Sequence, residues 1–264
     1  LADAQQFNSI LIPRSTGSLL KTFLFARLLE SGDLLPESLL EDVPTEIAGY
    51  RPENYNKEYT GLVEARMALA HSLNIPWIRA LRDYGVDAFM SYLLSGGMKT
   101  PQRPADVGVS MVVGGLQADL HDMVMLYRSI AEDGQMRTLS LIAGESAKHK
   151  PWSWMNAGAA HLVREALKIR GRPDFGIDPK HLNHPTLRWK TGTSQGNRDA
   201  WALGFDPAFT VGVWLGNLDQ TAVPALVGPE VAAPLMFDAF ARLRKQAPQM
   251  ENEWHPHGTD SAHA

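Results

Sequence analysis

Leu187-Arg-Trp-Lys-Thr-Gly-Thr193, Ala200-Trp-Ala-Leu-Gly-Phe205 and Thr210-Val-Gly-Val-Trp-Leu215 are three short runs rich in β-branched and aromatic residues. Turn-forming segments separate them, Ser194 to Asp199 first and Asp206-Pro207 second. Such residues suit a pleated, half-buried surface, and connections this short join antiparallel neighbours. The stretch therefore predicts a three-stranded antiparallel meander. Glu230 to Arg244 predicts a helix that closes it.

Upstream the pattern is helical. Leu19 to Leu29 is too densely apolar for a surface helix and predicts one buried on most sides, ended by Ser31-Gly32-Asp33. Leu34 to Tyr59, with Pro36, Pro44, Gly49 and Pro52, predicts an extended, looping crossover. A helix is expected from Leu62 to His71, with a pause at Ser72-Leu73-Asn74 and a restart after Pro76 to Tyr84. Proline lacks an amide hydrogen and suits a first helical turn. Further helices are expected at Asp87 to Leu94, Leu120 to Ala131 and Ala157 to Lys168. The fold class is α+β, a mostly helical subdomain packed on an antiparallel sheet built from both ends of the chain. One domain is expected over residues 1–246, and a disordered polar tail over residues 247–264.

Composition narrows the chemistry. The 264 residues are enough for a large core. They include no cysteine, which removes thiolate catalysis, disulfides and cysteine-ligated zinc. A formal charge of -4 argues against nucleic acid as a partner. No apolar run approaches the roughly 18 residues of a membrane span. Neither a metal nor a cofactor is expected. His255, His257 and His263 lie in the polar tail and read as solvated.

Three short motifs carry the reactive groups: Ser18-Leu-Leu-Lys21, Ser72-Leu-Asn74 and Lys190-Thr-Gly-Thr193. A serine and a lysine three apart on a helix are neighbours on one face, and an adjacent base activates an otherwise poor nucleophile. Lys21 must be neutral to take a proton, and burial or a second cation such as Lys190 favours that form. Ser72 and Asn74 fall at a helix interruption, where a hydroxyl can relay a proton and a carboxamide can hold both a lysine and a substrate amide. Asn74 would serve equally as a cap for the helix beginning at Ile75. Gly192 in a strand admits a substrate backbone. Lys190 with the hydroxyls of Thr191 and Thr193 offers a carboxylate site, and the amides of Ser18 and Thr193 offer an oxyanion hole. A nucleophile with its base, a relay and a carboxylate clamp are the parts that acyl transfer at a C-terminal peptide requires.

The same trio occurs in serine β-lactamases and penicillin-binding proteins. The flanking residues widen the match: Arg14 to Phe23, Asp42-Val-Pro-Thr45, Tyr50-Arg-Pro-Glu-Asn-Tyr55, Glu64 to Pro76, and Lys190 to Ser194 followed by Asp199 to Phe205. Together they resemble the transpeptidase domain of class A penicillin-binding proteins, most of all the penicillin-binding protein 1C group. The resemblance runs from Pro13 to Arg244. It implies a D,D-transpeptidase whose Ser18 is acylated by D-Ala-D-Ala stem peptides and trapped by β-lactams. It also implies the periplasmic face of the bacterial cytoplasmic membrane, reached through an anchor upstream of this chain.

The resemblance further implies sheet strands ahead of the nucleophile. Only 17 residues precede Ser18, so a single strand over Phe7 to Ile12 is expected, with another segment or chain supplying the rest. A D,D-carboxypeptidase would use the same residues with water as acceptor. A non-catalytic penicillin sensor or assembly module would keep the pocket without turnover. A class A β-lactamase needs a glutamate that the stretch between Asn74 and Glu132 lacks.

Overall fold

The computed structural model describes residues 8–138, 150–168, 186–248 and 254. The strands are β1 (Arg14–Ser15), β2 (Leu39–Asp42), β3 (Gly61–Glu64), β4 (Gln117–Ala118), β5 (Gln135–Met136), β6 (Trp152–Ser153), β7 (Arg188–Thr193), β8 (Asp199–Phe205) and β9 (Thr210–Gly216). The α-helices are α1 (Lys21–Ser31), α2 (Ala65–Ala70), α3 (Ile75–Tyr84), α4 (Val86–Ser95), α5 (Pro104–Val107), α6 (Leu120–Ala131), α7 (Ala157–Leu167) and α8 (Ala233–Gln246).

The meander forms as its composition requires, with sheet order β7-β8-β9 and Thr193 opposite Ala200. Strand β8 is buried along its whole length, because both faces of the sheet are covered. Its side chains alternate between two cores. Trp201, Leu203 and Phe205 face the helical subdomain, where they join Phe23, Leu126 and Tyr127. Ala200 and Ala202 face α8 and meet Ala233, Met236, Phe237 and Phe240. Gly204 completes that second face. A Cβ there would lie 2.6 Å from the sulfur of Met236.

Helix α1 is the centre of the helical layer. Phe23, Leu24, Phe25 and Ala26 are completely buried, as the dense apolar run predicts, and Gly32 ends the helix at φ 77°. Asp119 opens α6 by accepting the Asp122 amide at 2.7 Å, and Asn156 opens α7 by accepting that of Gly158.

Four expectations change. Residues Ser9–Leu11 form a 3₁₀ turn where a strand over Phe7 to Ile12 was expected, and the segment before Asn8 lies outside the described residues. The N-terminal end contributes no strand to the main sheet among the described residues. Its two-residue β1 pairs instead with β4. Gly61 to Glu64 is strand, paired with Leu39 to Asp42, where helix and loop were expected. Long-range pairing overrides local helical spacing there. Finally, Trp254, within the tail expected to be disordered, is held against the body of the chain. It donates from Nε1 to the Thr186 carbonyl at 3.2 Å, packs edge-on to Phe205 and lies under the guanidinium of Arg164. His255, His257 and His263 lie outside the described residues.

Candidate active site

The turn from Thr16 to Leu20 leads into α1, with the Leu19 amide donating to the Thr16 carbonyl at 3.2 Å. Ser18 sits half-buried in this turn, so it precedes the helix instead of lying on it, and Lys21 is the first helical residue. The spacing still brings them together. Lys21 Nζ is 2.9 Å from Ser18 Oγ. It is also 2.6 Å from Asn74 Oδ1 and 2.8 Å from the Ser72 carbonyl. The Lys21 side chain is completely buried.

Ser72 and Asn74 occupy the link between α2 and α3, as the helix interruption predicts. Ser72 adopts φ 58°, a left-handed conformation that costs a non-glycine residue on the order of 1 kcal/mol. The conformation sends its carbonyl to Lys21 and its hydroxyl to Lys190, whose Nζ donates to Ser72 Oγ at 2.8 Å. Asn74 does not cap α3 with its own side chain. That cap comes from Asn54, whose Oδ1 accepts the Asn74 amide at 2.7 Å.

Among the described residues strand β7 is an edge of the main sheet, and the side away from β8 meets the Ser18 turn. Two glycines make the approach close. A Cβ on Gly192 would lie 2.6 Å from the Thr16 carbonyl oxygen and 3.3 Å from the Ser18 amide nitrogen. Gly17 matches it from the other side. The Ser194 amide donates to Asp199 across β8, so by antiparallel alternation the Thr193 amide points away from β8. It faces Gly17. Lys190 is completely buried and also donates to the Thr191 carbonyl at 2.9 Å. Thr191 and Thr193 alternate with it across the pleat, so their side chains lie on the opposite face. Thr193 Oγ1 accepts the Gly228 amide at 2.9 Å.

The structure thus gathers Ser18, Lys21, Ser72, Asn74, Lys190 and the Gly192-Thr193 edge into one constellation. Sequence reasoning missed Asn54, which accepts the Asn74 amide, Asp42, which holds Asn54 from the end of β2, and Gly228, whose amide donates to Thr193. The one hint was that Asn54 and Asp42 lie in blocks similar to a known family.

The family model described as penicillin binding protein transpeptidase domain matches residues 10–236. The chain belongs to this family. Penicillin-binding protein 1C of Escherichia coli strain K12 is 35% identical over 225 residues, which is 84% of this chain and 29% of that protein. Penicillin-binding protein 1B of Vibrio cholerae is 28% identical over 236 residues, 81% of this chain and 30% of that protein. The chain spans about three tenths of the length of these relatives. The fold is that of solved penicillin-binding proteins. Penicillin-binding protein 1A from Haemophilus influenzae superposes with a TM-score of 0.75 at 20% identity, over 96% of this chain and 46% of that one. PonA1 from Mycobacterium tuberculosis, solved in complex with penicillin V, gives 0.74 at 21% identity, over 96% of this chain and 74% of that one.

Within this transpeptidase-family chain, further buried aromatic and acidic residues serve the fold. Trp201 is fully buried and donates to the Ser15 carbonyl, and Trp154 stacks on Tyr92 in the core. Asp199 is buried and accepts from Trp214 Nε1 at 3.0 Å, so it braces the sheet. Asp119, His121 and Asp122 come within 4.8 Å of one another. The first caps α6, and Asp122 accepts the Lys99 amide. Among the described residues no helix is long and apolar enough to cross a membrane.

Proposed function

We propose that this chain is the acyl-transfer domain of a peptidoglycan D,D-transpeptidase, with Ser18 as nucleophile and β-lactams as inhibitors that trap it. One observation carries the reading: the surroundings of Lys21 Nζ. A neutral amine has two hydrogens and one lone pair. The Ser72 carbonyl and Asn74 Oδ1 can only accept, so they take the hydrogens and leave the lone pair toward Ser18. Burial works against the ammonium form and favours this state.

In the first half-reaction Ser18 Oγ attacks the carbonyl carbon of the penultimate D-alanine, and its proton passes to Lys21. The amides of Ser18 and Thr193 receive the developing oxyanion. Lys190, with the Thr191 and Thr193 hydroxyls, holds the terminal carboxylate, and Gly192 leaves room for the peptide backbone. The C–N bond then breaks. The Ser72 hydroxyl, oriented by its bond from Lys190, gives its proton to the leaving nitrogen while Lys21 returns the proton it took to Ser72 Oγ, and D-alanine departs. In the second half-reaction an amine of a neighbouring stem peptide attacks the acyl-serine, loses its proton by the same route, and forms the cross-link as Ser18 is released. This chemistry belongs on the periplasmic face of the bacterial cytoplasmic membrane, where such peptides are exposed.

The test is intact-protein mass spectrometry after exposure to a penicillin. A single adduct that maps to Ser18 and is missing from Ser18→Ala is expected. No adduct, or an adduct elsewhere, overturns the reading. Incubation with a D-Ala-D-Ala pentapeptide, with and without an amine acceptor, separates cross-linking from carboxypeptidase release.

A further inference from the structure

We propose that Asp42 and Asn54 are positioning residues for Lys21 that act through Asn74; the proposal rests on the reading of Ser18 and Lys21 as nucleophile and base. The lone pair of Lys21 faces Ser18 only if Asn74 presents its oxygen, and not its amino group, to Nζ. A carboxamide can rotate by half a turn and offer either. What decides is the partner of Asn74 Nδ2, which donates to the Glu53 carbonyl at 2.8 Å. A carbonyl accepts only, so it selects the amino group, and Oδ1 is left for Lys21.

The Glu53 carbonyl is held in place by its neighbour. Asn54 is 3% exposed, and both ends of its amide are committed. Its Oδ1 accepts the Asn74 amide at 2.7 Å and the Ile75 amide at 3.4 Å, tying the loop to the start of α3. Its Nδ2 donates to Asp42 Oδ1 at 2.7 Å and to the Glu58 carbonyl at 2.8 Å. Asp42 is completely buried at the end of β2, and its other oxygen accepts the Thr60 amide at 2.8 Å. Its carboxylate cannot donate, so it fixes the flip of Asn54 as the Glu53 carbonyl fixes that of Asn74. Orientation is handed from a buried carboxylate, through two carboxamides, to the amine beside the nucleophile. Each step excludes the wrong rotamer because it would set donor against donor or acceptor against acceptor.

The test compares Asp42→Asn, Asn54→Asp and the double variant D42N/N54D by two readouts. One is the first-order acylation constant at saturating fluorescent penicillin; the other is the fraction of protein labelled at completion. A residue that matters only for folding lowers the labelled fraction and leaves the rate per folded molecule unchanged. Here each single variant is expected to acylate about ten- to a hundredfold more slowly with a wild-type labelled fraction. The double variant restores a carboxamide facing a carboxylate but leaves the Glu58 carbonyl without its donor, and is expected to regain part of the rate. Asn54→Ser removes the Asp42 contact without adding a carboxylate and carries the same expectation if Asn54→Asp does not fold. Wild-type rates in the single variants, or a double variant no faster than the slower single, overturn the positioning role alone. A wild-type protein that is not labelled at Ser18 overturns the underlying reading with it.

Discussion

Gly17 and Thr193 touch through their backbones: a Cβ built on Gly17 would lie 2.6 Å from the Thr193 amide nitrogen and 2.8 Å from its carbonyl oxygen. Gly17 also holds φ 54°, which disfavours any other residue. The Gly17→Ala variant meets both penalties. The turn carrying Ser18 must retreat from β7, and the two amides proposed for the oxyanion separate. A rate of penicillin acylation about a hundredfold lower is expected, read by stopped-flow labelling. A wild-type rate would mean that the contact is incidental.

Lys21→Arg separates charge from basicity. A guanidinium stays protonated at any accessible pH and has no lone pair to offer Ser18. If Lys21 acts as base, the variant loses about 10²–10⁴-fold in acylation although its positive charge is kept. Retention of most of the rate would instead favour an electrostatic role for the lysine.

Phe240 tests the second core. It is 1% exposed and packs over Gly204, whose Cβ would sit 3.1 Å from its ring. Truncation to alanine leaves a cavity between α8 and the sheet, with an expected cost of about 3–5 kcal/mol. The thermal midpoint should fall by roughly 2–4 °C for each kcal/mol, measured by calorimetry.

Trp254→Ala removes a clamp from the C-terminal segment. The indole lies 4.9 Å from the Arg164 guanidinium carbon and 5.9 Å from that of Arg188. Loss of its packing and cation–π contacts is expected to cost about 1–2 kcal/mol. Arg188 is two residues before Lys190 on β7, yet the saturating acylation rate should stay near wild type, because the reacting groups are untouched. A midpoint equal to wild type would show that the contact contributes nothing.

What the chain's own order of residues decided was local and chemical. Three short runs rich in β-branched and aromatic residues, separated by turn-forming segments, dictate a meander, and the dense apolar run after Leu19 dictates a buried helix. Such patterns can be read because burial imposes them residue by residue. The types Ser18, Lys21, Ser72, Asn74, Lys190 and Thr193 likewise announce their chemistry.

Three things only the folded chain decided. Leu39–Asp42 with Gly61–Glu64 became a hairpin because pairing across the intervening loop outweighed weak local spacing. Trp254 found its place on Phe205 and Arg164, partners distant in sequence. The cap of α3 passed from Asn74 to Asn54, 20 residues earlier. The physical reason is the same in each case. Hydrogen bonds and packing contacts depend on where atoms end up, and no spacing along a chain records which distant carbonyl or ring will stand opposite.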